Sequence, residues 1–215
     1  MPAEKQILIV DDHPIMRMGL RAMISDKDDL AVIGEAGTAN DALEFVESHE
    51  QIDLVILDMS LPDRSGLDLI KDLRVMRPEI KCLFISSHDE NVYAERVLRA
   101  GGRGYVMKDR APDCLEVAIR TVLKGGVFLS PDMTAKLMEV LAGGNAGSEV
   151  AGLTDRELEV YRAIGSGKTS REIADLLGIS IRTVDAHRTH IKNKLGLRDA
   201  AELNYQAIRW MDSQS

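Results

Sequence analysis

The chain has 215 residues, 45% of them apolar and 29% charged, with two cysteines and a formal net charge of −8. That length accommodates one large domain or two smaller ones, and so ordinary a composition excludes a disordered chain. Met1–Gln6 carries no basic run leading into an apolar core, and no apolar run approaches the roughly 18 residues of a membrane span, so a cytoplasmic protein without a membrane partner is expected.

The charge is uneven. Residues 1–150 hold 17 Lys+Arg against 26 Asp+Glu, giving −9, whereas residues 151–215 hold 10 against 9, giving +1, so the second part remains able to approach a polyanion. Cys82 and Cys114 have no CxxC spacing and read as small core residues in a reducing compartment.

Five short apolar runs mark the first half: Ile7–Val10, Ala31–Ile33, Leu54–Leu57, Cys82–Ile85 and Tyr105–Met107. Between them lie segments with helical apolar spacing, such as Ile15, Met18, Leu20, Met23 and Ile24, or Ala42, Leu43 and Val46. Strand alternating with helix predicts an α/β doubly wound, five-stranded parallel sheet covered on both faces. Pro14 suits the first turn of a helix, Gly101-Gly102 breaks the fourth helical segment, and a fifth helix spans about Pro112–Leu123. Ser130-Pro131-Asp132 then caps a short helix through Leu141, and Gly143–Ser148 reads as a flexible linker.

From Leu153 onward the pattern is all helical. Thr154–Glu157 and Thr169–Glu172 each fit a capping box, Gly178 makes a short turn, and Ser180 caps a third helix running to about Leu195. A fourth helix follows from Arg198 toward Trp210. Two helices separated by a short glycine turn predict a helix-turn-helix.

Chemistry concentrates at the strand ends. Asp11 and Asp12 close the first strand and Asp58 the third, and in a sheet of reversing strand order these ends adjoin one crevice. Three converging carboxylates need a hard cation, and an oxygen-only ligand set points to Mg²⁺. Ser86 ends the fourth strand with a hydroxyl and Lys108 the fifth with an ammonium. A nucleophilic carboxylate, a metal, a hydroxyl donor and a cation together suit phosphoryl transfer to Asp58.

On the third helix of the second part, Ile181, Val184, Ile191 and Leu195 form the expected buried stripe. The opposite face carries Arg182, Ala186, Thr189 and Asn193, with Asp185, His190 and Lys192 on its flanks, a surface suited to a major groove of double-stranded DNA. Lys168, Arg171, Lys192 and Lys194 are assigned to phosphates. Asp185 either accepts from cytosine or holds Arg182 or Thr189 in place. His187 reads as a hydrogen-bonded packing residue. Ala200, Ala201, Leu203, Ala207, Ile208 and Met211 give the last helix apolar surface beyond the needs of one short domain.

Ile9-Val10-Asp11-Asp12-His13, Leu57-Asp58 through Pro62 and Gly66, Ser86, Tyr105 and Lys108-Asp109 together resemble the receiver domain of bacterial two-component response regulators. Leu153–Glu157, Glu172-Ile173-Ala174 and Thr183–His187 resemble the LuxR-type helix-turn-helix of the NarL/FixJ subgroup. The resemblance implies a flavodoxin-like receiver over 1–125, a linker with a short helix over 126–148, and a DNA-binding domain over 149–215. It implies that Asp58 accepts a phosphoryl group from a sensor histidine kinase, that Asp12 binds Mg²⁺ directly and Asp11 through water, and that the Ser60 carbonyl completes the metal ligands. Ser86 and Lys108 then contact the phosphoryl oxygens, and Tyr105 turns inward as the switch. The phosphorylated protein is expected to form a homodimer on promoter half-sites, with RNA polymerase as a further partner. Aspartyl-phosphate hydrolases carry a second Asp two residues after the first; Ser60 stands there, so a regulator and not an enzyme is expected. A ligand-sensing first domain with the same helix-turn-helix is the other alternative, and the complete Asp11, Asp12, Asp58, Ser86 and Lys108 set argues against it.

Overall fold

The computed structural model describes residues 4–141, 150 and 152–212. The chain divides into two compact units, Met1–Gly144 and Asn145–Ser215. The expected glycine linker over 143–148 lies outside the described residues.

Unit 1 contains strands β1 (Lys5–Val10), β2 (Leu30–Ala36), β3 (Leu54–Asp58), β4 (Lys81–Ser86) and β5 (Tyr105–Met107). All adjacent pairs are parallel, in the order β2-β1-β3-β4-β5. Helices α1 (Pro14–Ser25), α2 (Ala39–Ser48), α3 (Gly66–Met76), α4 (Glu90–Ala100) and α5 (Ala111–Leu123) make the crossovers. The chain runs from β1 outward to β2 and then returns to β3 on the other side of β1, which places a switch point between β1 and β3. Ile7, Ile9, Leu54, Ile56, Leu83 and Ile85 pack with Leu20 and Ile24 of α1 and Leu115, Ile119 and Val122 of α5. The alternate residues Leu8, Val10, Val55, Leu57 and Phe84 are equally buried, as expected for strands covered on both faces. Each such aliphatic side chain contributes on the order of 2 kcal/mol. The core can therefore support ionisable groups that are costly to bury at its edge.

Residues beyond α5 remain attached to unit 1. The Phe128 carbonyl accepts from Tyr105 N–H at 2.9 Å, Phe128 N–H donates to Arg103 O at 2.9 Å, and Gly104 and Phe128 form a parallel bridge along the outer edge of β5. Ser130 caps helix α6 (Pro131–Leu141) by accepting from Met133 N–H at 3.1 Å, as its sequence predicts.

Unit 2 contains α7 (Asp155–Gly165), α8 (Ser170–Leu177), α9 (Ile181–Lys194) and α10 (Ala200–Asp212). Both predicted capping boxes form: Thr154 N–H donates to Glu157 at 2.7 Å and Thr169 N–H to Glu172 at 2.8 Å, each answered by the reciprocal bond. Gly178 ends α8 at φ +61°, a left-handed conformation that favours glycine. Leu158, Ile173, Val184, Ile191, Leu203 and Ala207 are buried, so all four helices contribute to the core. One expectation fails here: Ile181 is 47% exposed, because it begins α9 and projects before the helix meets its neighbours. Leu195 is half-buried.

Candidate functional site

The sheet edge predicted to carry the chemistry is assembled. Lys108 Nζ, at the end of β5, lies 2.7 Å from Asp58 Oδ2 and 2.7 Å from Asp11 Oδ2, bridging the ends of β3 and β1. The contact with Asp58 is an aligned hydrogen bond. That with Asp11 is an ion pair without hydrogen-bond alignment, which leaves this fully buried oxygen an incompletely satisfied acceptor. Asp11 Oδ1 accepts from His13 N–H at 2.8 Å. Ser60 N–H reaches Asp58 Oδ1 at 3.4 Å, a long and weak bond.

Burial is the largest influence on Asp58 and pushes its carboxyl up to about 6; the Lys108 ammonium opposes the shift without cancelling it. For Lys108, burial favours the neutral amine, but Asp11 and Asp58 outweigh it and hold the group above its ordinary value. The nucleophile, the cation and the second acid therefore form one desolvated charge system.

The tight turn after β3 depends on Gly66. Gly66 N–H donates to Met59 O at 2.8 Å, and a Cβ at this position would stand 2.2 Å from the Asp58 carbonyl. Any side chain would push the loop off the phosphoacceptor candidate.

Asp11, Asp12, His13 and Asp58 offer ligand atoms within 4.8 Å of one another. The oxygen-only description was therefore incomplete: His13 Nδ1 is 2.6 Å from Asp12 Oδ1 and 3.2 Å from Asp11 Oδ1. Three carboxylates with an underused buried oxygen fit a hard divalent cation, and receiver domains generally hold Mg²⁺ in such an acidic pocket.

Ser86 is buried at the end of β4, and its Oγ accepts from His88 N–H at 3.1 Å. His88 was not singled out in the sequence, yet it joins three parts of the edge. Its Nε2 shares a hydrogen bond with Ser60 Oγ at 2.8 Å, its carbonyl accepts from Tyr105 OH at 2.7 Å, and its ring stacks on Tyr93 at 5.2 Å. The sequence signal was its position two residues past a strand-ending serine. Tyr105 corrects another expectation: instead of awaiting an inward turn it is already buried, because the His88 carbonyl satisfies its hydroxyl inside.

In unit 2, Lys168, Arg171, Arg182, Asp185, Ala186, Thr189 and His190 are exposed and Lys192 is half-buried. Among the described residues, the side chains of Lys168, Arg171, Arg182 and Lys192 form no hydrogen bond or ion pair, although Lys168 lies near enough to the exposed Glu172 carboxylate to help hold it below its ordinary pKa. Lys194 differs from its assignment: it is paired with buried Glu157 at 2.7 Å and ties the end of α9 to the start of α7. Asp185 holds Thr189, one of the residues expected of it, through its carbonyl and not its carboxylate. Its carboxylate accepts from Ser170 Oγ at 3.0 Å, joining α9 to α8. His187 is half-buried with Nδ1 buried and unbonded, contrary to the expected hydrogen-bonded role. Burial, then the neighbouring Arg156, holds its pKa below the ordinary imidazole value.

A five-stranded parallel receiver fold with this acidic edge, followed by a helix-turn-helix unit, defines a two-domain transcriptional regulator. Residues 7–120 match the response regulator receiver domain and residues 151–207 the luxR family of bacterial regulatory proteins, and the chain belongs to the LuxR-type response regulators. It is 34% identical over 212 residues to the oxygen regulatory protein NreC of Staphylococcus carnosus, covering 95% of this chain and 97% of that one. The NreC of Staphylococcus haemolyticus is 32% identical over 211 residues, at 95% and 97% coverage. Among solved structures, an RcsB response regulator of Salmonella typhimurium superposes with a TM-score of 0.60 at 27% identity, covering 96% of this chain and 99% of that one. RcsB of Salmonella enterica serovar Typhimurium, solved on promoter rprA with the phosphomimetic BeF3−, matches with a TM-score of 0.66 at 25% identity, covering 94% and 97%. Among the described residues no helix is long and apolar enough to cross a membrane.

Proposed function

We propose that Asp58 is the phosphoacceptor of this cytoplasmic response regulator, and that its phosphorylation by a sensor histidine kinase controls homodimerisation and promoter binding by unit 2. The observation that carries this reading is the buried Asp58–Lys108–Asp11 system at the switch point of the sheet. A carboxylate oxygen of Asp58 attacks phosphorus, the P–N bond of the phosphohistidine breaks, and the imidazole leaves with the bonding pair. Lys108 turns its ammonium from the carboxylates to the phosphoryl oxygens, and the Ser86 hydroxyl donates to another of them. Asp11, Asp12, Asp58 and the Ser60 carbonyl would hold Mg²⁺, which supplies further neutralisation of phosphoryl charge when bound. Ser60 offers no carboxylate to activate water, so dephosphorylation by the protein itself is slow and the chain acts as a switch.

In unit 2, Arg182, Ala186, Thr189 and His190 face the base edges, while Lys168, Arg171 and Lys192 contact phosphates. Lys194 and Asp185 are positioning residues for α9, through Glu157 and Ser170. RNA polymerase is the partner through which a bound dimer would alter transcription. The test is incubation with a small phosphodonor and Mg²⁺, with intact mass, sedimentation and operator affinity read on the same sample. Asp58 gains one phosphoryl group, dimerisation rises and DNA binding tightens. Identical sedimentation and binding with and without a mass gain would leave a DNA-binding protein with no phosphorylation switch.

A further inference from the structure

His88 lies in the short turn between β4 and α4, and Glu90 is the first residue of α4. His88 faces the site: its ring holds Ser60, its N–H holds the Ser86 hydroxyl oxygen, and its carbonyl holds Tyr105. Glu90 faces away. It is a buried carboxylate in the first turn of α4, and its Oε1 accepts from Ser130 N–H at 2.8 Å, at the residue that caps α6. Lys136 of α6 also reaches Asn91 Oδ1 at 3.5 Å. Tyr105 adds a second attachment, since its N–H donates to Phe128 O at 2.9 Å.

We propose that the turn 86–90 is a mechanical link, with His88 as its input and Glu90 as its output, that sets the position of segment 128–134 and helix α6 according to the state of the phosphoacceptor site. The inference rests on the reading that Asp58 is phosphorylated, and what it adds is the attachment of α4 to the cap of α6 through Glu90 and Ser130. Among the described residues, the Ser86 hydroxyl makes one hydrogen bond, accepted from His88 N–H at 3.1 Å. Recruiting that hydroxyl to a phosphoryl oxygen therefore pulls on the backbone that anchors Tyr105. Displacement of the turn is carried into α4, whose Glu90 carboxylate accepts from Ser130 N–H at 2.8 Å in a short, half-buried bond that resists slipping. Helix α6 is the last described element of unit 1, and the chain continues from it to unit 2. A purely structural Glu90 would affect stability equally in both phosphorylation states, whereas a link must alter the difference between them.

The test uses the full chain with a small phosphodonor and Mg²⁺, reading intact mass, amide hydrogen exchange and operator affinity together. In the wild type, phosphorylation changes exchange at the Ser130, Met133 and Thr134 amides by about tenfold or more. Glu90→Ala gains the same mass, but its Ser130 amide exchanges fast in both states, and the affinity difference between the two forms shrinks below about twofold. Glu90→Gln, which retains an acceptor oxygen, restores most of the response. His88→Ala keeps Ser130 protected at rest but diminishes the phosphorylation-dependent change. If Glu90→Ala does not fold, Glu90→Asp, whose shorter chain withdraws the acceptor, takes its place. The proposal is overturned if the wild type and the Glu90 and His88 variants all gain mass and all shift operator affinity by the same factor. If the wild type gains no mass, the phosphoacceptor reading itself fails and the link fails with it.

Discussion

In unit 1 the ionisable groups at the sheet edge are buried and already paired, with Lys108 at 2.7 Å from both Asp58 and Asp11. In unit 2, Lys168, Arg171, Arg182 and Lys192 have no such partner among the described residues, whereas Lys194 and Glu157 are spent on holding helices together. The two arrangements suit different ligands. A phosphoryl group is small and must be drawn into a desolvated pocket, where each charge is strengthened by low dielectric. A duplex presents a broad polyanion, and cations that stay solvated reach it without breaking internal bonds.

The sharpest break in this comparison is Asp58→Asn, which should abolish phosphorylation outright while unit 2 keeps its basal affinity for DNA. Intact mass and operator binding measured on one preparation check both halves; a mass gain in the variant would remove Asp58 from its role. Salt comes next. If Lys168, Arg171 and Lys192 each neutralise one phosphate, raising salt from 50 to 200 mM should weaken DNA binding by about fortyfold. The Mg²⁺-dependent phosphorylation rate should move far less, because its charges are screened poorly where they are buried.

Acid should act on the two units with opposite sign. Without divalent cations, the Asp58 carboxyl in the fold is pushed up to about 6, above its unfolded value. Its contribution is therefore fully present below the unfolded pKa and lost as pH rises through about 6, amounting to about 3 kcal/mol. His187 is shifted downward, so its contribution is present above the unfolded imidazole pKa and lost as pH falls. Separate denaturation curves for the two units test this. Asp58→Asn should remove the first trend, leaving the variant more stable than wild type above pH 6 and without Mg²⁺. The smallest effect should come from single cations: Arg182→Ala relaxes base preference by about tenfold at one position, while Lys192→Ala weakens all sequences alike. Competition binding against a set of single-base operator changes distinguishes them, and equal loss from both would erase the division between base and phosphate contacts.

The strand ends were legible because a parallel strand buried on both faces is written as an apolar run, and the residue that closes it stands out. Asp58 after Leu54–Leu57 and Lys108 after Tyr105–Met107 follow that grammar. The capping boxes were legible for a similar reason, since donor and acceptor are three residues apart. What escaped was nonlocal. Ser60 and His88 are 28 residues apart, Lys194 and Glu157 37, and Glu90 and Ser130 40, and nothing in the spacing of either partner announces the other. Ile181 shows the limit of a helical wheel, which places a side chain on a face but does not say where a neighbouring helix begins.

Strand β5 is three residues long and forms the outer edge of the sheet, and the chain around Phe128 lies along its open side. An uncovered edge offers its amides and carbonyls to any passing strand. A fragment ended after α5, at residue 125, would retain every group of the phosphoacceptor site yet lose this cover and be prone to strand-to-strand self-association. One ended after residue 141 would keep it, so the two fragments should differ in solubility while sharing the same chemistry.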